Sequence, residues 1–147
     1  LRYSFVLNLK TKKDMKTKSA IVIGFIIWMI AILCYTIAGS IAASQQLEYL
    51  PGTVLFIVVM PLVWFGADYY YKNDNKTHGY WVGQTMLLTA AALDALITVP
   101  VFIIPMRGSY YSFFTASEFW IIAFEFLAVA TLYYYIRVYP KNATSKA

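Results

Sequence analysis

Two carboxylates stand inside apolar runs of this sequence. Asp94 is the single charge between Tyr80 and Pro105, and Glu125 is the single charge between Phe119 and Ile136. A carboxylate in low dielectric is costly unless it is protonated, hydrogen-bonded or paired with a cation. No lysine or arginine lies at their depth in these runs. The chemistry open to them is therefore acid–base chemistry. Two facing carboxylates cannot both ionise cheaply, so one holds a proton or the two share a cation.

Helical spacing places companions beside each. Gln84, Ala91, Asp94 and Thr98 share one stripe by three-, four- and seven-residue steps, a polar face with small residues beside the carboxylate. Glu118, Ile121 or Ile122, Glu125 and Val129 form the matching stripe, apolar between its two carboxylates. With both helices antiparallel and joined by a short connection, Asp94 and Glu125 are expected to meet near mid-depth, with Glu118 one or two turns nearer the outside. Tyr35 and Ser40 are expected to reach the interior beside them. The competing reading makes each carboxyl neutral and bonded to a Thr, Tyr, Trp or backbone partner that glues helices together. Thr85 and Thr89 lie elsewhere around their helix and can bond their own backbone. Pro100 should free a carbonyl at Ile97 or Leu96. Asp68 and Lys72, at i,i+4, suit an interfacial ion pair. With His78 at the foot of the third helix, Asp68 also marks a candidate inner access point for protons.

The elements that must position these residues follow from the uncharged runs. The chain has 147 residues, 61% hydrophobic and 13% charged, about half the usual charged fraction of a soluble domain. Ile21 to Ala43 carries no charge, and a helix needs roughly 20 residues to cross the hydrocarbon core. The expected fold is an all-α bundle of four transmembrane helices, about 20–43, 51–71, 80–105 and 117–138. Residues 1–19 precede this membrane domain of 20–139, and 140–147 form a tail. The first helix lacks the polar face of a soluble bundle, and its run is too long for a signal-peptide core. The runs are also too long and too little alternating for barrel strands. MKTKSAIVIGF, beginning at Met15, has the form of an ordinary start. Residues 1–14 are thus either foreign to the natural chain or a genuine cytoplasmic extension.

Eleven of the twelve basic residues fall on one side of this topology. Arg2, Lys10, Lys12, Lys13, Lys16, Lys18, Lys72, Lys76, Arg137, Lys141 and Lys146 face Arg107 alone on the other. The positive-inside rule then places both termini and the 72–79 loop in the cytoplasm. The sequons Asn75-Lys-Thr and Asn142-Ala-Thr thereby fall on the wrong side for glycosylation. Tyrosines and tryptophans gather at both boundaries, where an apolar ring with a polar tip is at home. SYYSFFTASEF suits a short interfacial segment, with Thr115 or Ser117 capping the fourth helix. The lysines form no nucleic-acid motif.

One cysteine, Cys34, excludes an internal disulfide and dithiol chemistry, and one histidine without a His/Cys cluster argues against zinc. No cofactor is expected: nucleophile-elbow, phosphate-loop and metalloprotease motifs are lacking, as is an intramembrane lysine for a Schiff base. The expected function is proton-coupled transport or sensing of a small molecule or ion through Asp94 and Glu125. The alternatives are an intramembrane acid–base enzyme acting on a lipid or isoprenoid, and an accessory or assembly subunit without chemistry of its own. Whether the chain is an enzyme stays open at this point. The bilayer is the expected environment, and a parallel homodimer or a membrane partner protein the expected assembly.

Three stretches, VVMPLVWFGADYYY, LDALITVPVF and FEFLAVATLYYY, resemble those of small uncharacterised bacterial four-helix membrane proteins, a family of unknown function. The resemblance covers roughly Met15 to Tyr139. It implies the fold and a bacterial plasma membrane and supplies no activity.

Overall fold

No glycine or proline occurs between Arg2 and Ile23, so nothing stops the first helix where its apolar run begins. In the computed structural model, which describes residues 2–145, α1 accordingly runs from Arg2 to Gln45 as one 44-residue helix. The expected start near residue 20 marked the end of the apolar run, not the end of the helix. Gln46, in the left-handed region with φ 56°, turns the chain. Leu1 and the last two residues, including the counted Lys146, lie outside the described residues.

Three further long helices follow. α2 (Leu50–Tyr71) carries Pro51 in its first turn, where a missing N–H costs nothing, and Pro61 inside. α3 (Gly79–Leu93) is capped by His78, whose Nδ1 accepts the Tyr80 N–H. It continues as a wider, π-wound stretch, Asp94–Ile103. A five-residue helix, α4 (Tyr110–Phe114), starts with a reciprocal Ser109–Ser112 capping box. α5 (Ser117–Tyr133) leads through a π-wound turn at Tyr134–Val138 into α6 (Tyr139–Ser145). Among the described residues, four helices are long and apolar enough to cross a membrane: Arg2–Gln45, Leu50–Tyr71, Gly79–Ile103 and Ser117–Thr144. That is the architecture of a membrane protein, and no strand occurs among the described residues.

The helices do not pack in chain order. α1 lies against α2 and α3, and α5 lies against the same two, while α2 and α3 barely touch. The order around the bundle is therefore α1, α2, α5, α3. Met86, Val59, Val63 and Val82 are fully buried in the shared core. Two glycines permit close approach of the backbones. A Cβ on Gly24 would stand 2.9 Å from the Met86 carbonyl oxygen, and one on Gly79 would stand 2.9 Å from the Thr131 Cα. The close packing at Gly24 has α3 as its partner. Because α2 and α3 sit on a diagonal, the 72–78 connection crosses the end of the bundle instead of bridging neighbours. We call this the basic end.

Candidate functional site

Two seams between helices carry the membrane carboxylates. Asp94 belongs to the seam of α1 and α3. Its Oδ1 accepts the Trp28 indole N–H at 2.8 Å and the Thr98 hydroxyl at 2.7 Å. The spacing of Thr98 identified one partner. Trp28, on α1, is the other. A buried indole N–H needs an acceptor, a need that does not say which helix supplies it.

Glu125 belongs to a different stripe. It lies four residues before Val129 and eight before Tyr133, whose hydroxyl donates to Asp68 Oδ1 of α2 at 2.6 Å. Tyr133 also meets Trp64 edge-on, with ring centroids 4.9 Å apart. This stripe faces the seam of α2 and α5. Glu125 is 4% exposed, and neither of its carboxyl oxygens has a hydrogen-bond partner. The Gln84 Oε1 on α3 is also buried and unpartnered.

Asp94 and Glu125 are not brought together. A Cβ on Gly79 would lie beside the Thr131 Cα, and one on Gly83 would lie 3.4 Å from the Leu127 Cα. Extending this antiparallel register puts Glu125 level with Thr85. Asp94 lies about nine residues, or roughly 13 Å, farther along α3. The expected equal depth assumed a plain hairpin between the third and fourth spans. Instead the connection folds back along α3, so α5 begins about level with Asp94.

The proline of α3 explains how that fold-back is held. In π winding the N–H of each residue bonds the carbonyl five back, as Ile104 does with Val99 at 2.9 Å. Pro100 has no N–H, so the orphaned carbonyl is that of Ala95, not Leu96 or Ile97 as α-helical counting suggests. The Tyr110 hydroxyl of α4 donates to it at 2.9 Å. The expected interfacial segment is thereby anchored to α3. Its exit differs in detail: Ala116 holds the N-cap position of α5 without a side-chain bond, while Ser117 donates to Glu118 Oε2 at 3.3 Å.

The remaining expected residues divide. Thr85 and Thr89 bond the carbonyls of Trp81 and Thr85. Asp68 and Lys72 form an ion pair at 3.9 Å. Glu118 is exposed in the first turn of α5. Tyr35 is 46% exposed, and Ser40 is exposed and bonded to the Thr36 carbonyl, so neither reaches the interior. Tyr35 keeps the face of Trp28 two turns on, but α1 packs against α3 and leaves its π-wound continuation largely uncovered. Ser40 lies a third of a turn around the helix from Trp28. His78 Nε2 lies 3.0 Å from the Tyr135 hydroxyl, apart from the Asp68–Tyr133 contact.

At the basic end a third carboxylate, Asp74, organises the diagonal connection. It pairs with Lys16 of α1 at 2.9 Å, accepts the Tyr70 hydroxyl at 2.9 Å and the Lys76 N–H at 3.0 Å, and bonds the Thr77 hydroxyl. Burial alone would push this carboxyl up. The donors from Thr77, Lys16, Lys76 and Tyr70 outweigh it and hold the group down at about 2. Asp-x-x-Thr preceded by Tyr at i−4 was the signal available in sequence. The distant Lys16 was not legible there.

A four-helix membrane protein with one carboxylate bonded through a single oxygen and one bare buried carboxylate is the class this arrangement defines. Residues 44–136 match the model of the Family of unknown function (DUF5367), and the chain belongs to that family. The match takes in α2 to α5 with both membrane carboxylates and leaves Trp28 and Lys16 outside. No curated protein and no solved structure matches the chain.

Proposed function

We propose that this protein handles protons inside the membrane and couples them to transport or sensing of a small molecule or ion, with Glu125 as the proton-bearing group. The bareness of Glu125 carries this reading. A charge there would be buried without a partner, at a cost of several kcal/mol, so the packed arrangement suits the neutral acid. Ionisation requires water or a cation to reach it, which ties its protonation to an opening of the α2–α5 seam. Asp68 and Tyr133 lie on the same seam, with Tyr133 about 12 Å along α5 toward the basic end. They supply a polar step between that end and Glu125. Asp94, already satisfied by Trp28 and Thr98, holds α1 to α3. A shared cation between the two carboxylates is not part of the proposal.

Sidedness belongs to the same reading. Eleven basic residues against one favour a plasma membrane with both termini and the 72–78 loop in the cytoplasm. Any homodimer would then be parallel.

The test is reconstitution of wild type, Glu125→Gln and Asp94→Asn in vesicles, reading proton flux under an imposed pH gradient and the infrared carboxyl bands. The expected result is a pH-responsive Glu125 band and a proton flux lost in Glu125→Gln but retained in Asp94→Asn. A pH-invariant Glu125 band with no flux in wild type overturns the proposal.

A further inference from the structure

At the basic end, the α2–α5 seam opens into a cleft of about 220 Å³, whose walls include Asp68, Lys72, Arg137, Lys141 and the rings of Tyr71 and Tyr133. Three of these are cations and one is an anion. The anion is already engaged: Asp68 accepts the Tyr133 hydroxyl and pairs with Lys72. Arg137 and Lys141 enter no ion pair among the described residues. They stand four residues apart at the end of the last span, so both address one space from one wall. The opposite wall is the end of α2 and the diagonal connection. Asn142 Nδ2 donates to the Asn75 carbonyl at 2.6 Å and ties the two walls together. The inner margin, Tyr71 and Tyr133 with stacked rings 5.9 Å apart, is aromatic.

We infer that this cleft binds a phosphate group through Arg137 and Lys141, with Lys72 as the third positive edge. Size, sign and depth all point there. The volume equals roughly seven waters at about 30 Å³ each, room for a phosphate with a short substituent. Guanidinium and ammonium groups converging on one space are the donors that phosphate oxygens take. The cleft lies where the apolar spans of α2 and α5 end and tyrosines gather, the depth at which lipid headgroups stand. A phospholipid headgroup and a free phosphate share this chemistry. The cleft shares Asp68 and Tyr133 with the proposed proton path, but its anion-binding groups, Arg137 and Lys141, have no part in that reading, so the two can fail separately.

The experiment uses the full chain in neutral detergent and follows the thermal midpoint during titration with three probes at matched ionic strength: phosphatidylglycerol, phosphatidylcholine and inorganic phosphate. Arg137→Gln with Lys141→Gln removes the two cations of the cleft. Lys10→Gln with Lys13→Gln removes the same charge from the exposed start of α1. Wild type should be stabilised by phosphatidylglycerol more than by phosphatidylcholine. At about 1 kcal/mol per cation, the first pair should weaken the effective affinity roughly thirty-fold, with little change for the second. Stabilisation by phosphatidylglycerol alone identifies a headgroup; an equal response to inorganic phosphate identifies a free anion; either supports the site. If the double variant does not fold, Lys141→Gln alone should weaken binding about five-fold. Equal weakening by both charge-removing pairs, or no stabilisation of wild type by either anionic probe, overturns the inference.

Discussion

Asp94 and Glu125 look alike in sequence, each the single charge of a long apolar run, and the structure treats them in opposite ways. Asp94 lies on the α1–α3 seam with two donors on one oxygen. Glu125 lies on the α2–α5 seam with no donor at all. The difference separates two uses of an expensive group. A bonded carboxyl offsets its desolvation locally and fixes helices. A bare one does so only when its protonation or its surroundings change, and that is the condition for coupling to something else.

The largest expected effect tests the contrast by sign. Asp94→Leu strands the buried indole N–H of Trp28 and removes the Thr98 bond, and should cost about 3 kcal/mol in reversible unfolding. Glu125→Leu removes a bare polar group and should raise stability by about 1–2 kcal/mol. Shifts of the same sign in both variants would dissolve the distinction.

Asp74 extends the comparison outside the apolar spans, where the carboxylate is ionised and surrounded by donors. Its carboxyl is held at about 2 against an ordinary 3.8. Its stabilisation, about 2 kcal/mol, is therefore complete above about pH 4 and disappears as pH falls through about 2. An acid titration of stability should show this loss in wild type and not in Asp74→Asn, which lacks the group throughout.

A double-mutant cycle sharpens the separation of the seams. Trp28→Phe with Asp94→Leu should give a coupling of about 1.5 kcal/mol, since they share a hydrogen bond that either variant alone removes. Asp94→Asn with Glu125→Gln should add within about 0.5 kcal/mol, as sites more than about 10 Å apart usually do. A large coupling in the second cycle would restore the paired site. The smallest effect is at Tyr110→Phe, about 1 kcal/mol for one hydrogen bond to the Ala95 carbonyl. It should loosen protection of the Asp94–Ile103 amides in hydrogen exchange and leave those around Glu125 unchanged.

The four helices were legible because uncharged runs of sufficient length leave the backbone no other way to cross hydrocarbon. Thr85, Thr89 and Thr98, and the Asp68–Lys72 pair, were legible because their partners lie four residues away. Trp28 and Lys16 were not. Their partners, Asp94 and Asp74, come from far along the chain, and nothing in a run of apolar residues fixes which helices adjoin. The depth of Glu125 was misread for a related reason. A connection that folds back along α3 consumes depth that residue counting assigns to a hairpin. Pro100 did announce a freed carbonyl, but the winding moved it by one residue, to Ala95.

The length of α1 also sets a distance. Its 44 residues make a rod of about 66 Å, roughly twice the hydrocarbon thickness it has to cross. The surplus stands clear of the bilayer on the basic end, and the Lys16–Asp74 pair braces it against the connection between α2 and α3. A group attached near Arg2 is thus held like a pennant on a mast, about 28 Å from the start of the apolar run and at an azimuth fixed by the bundle below.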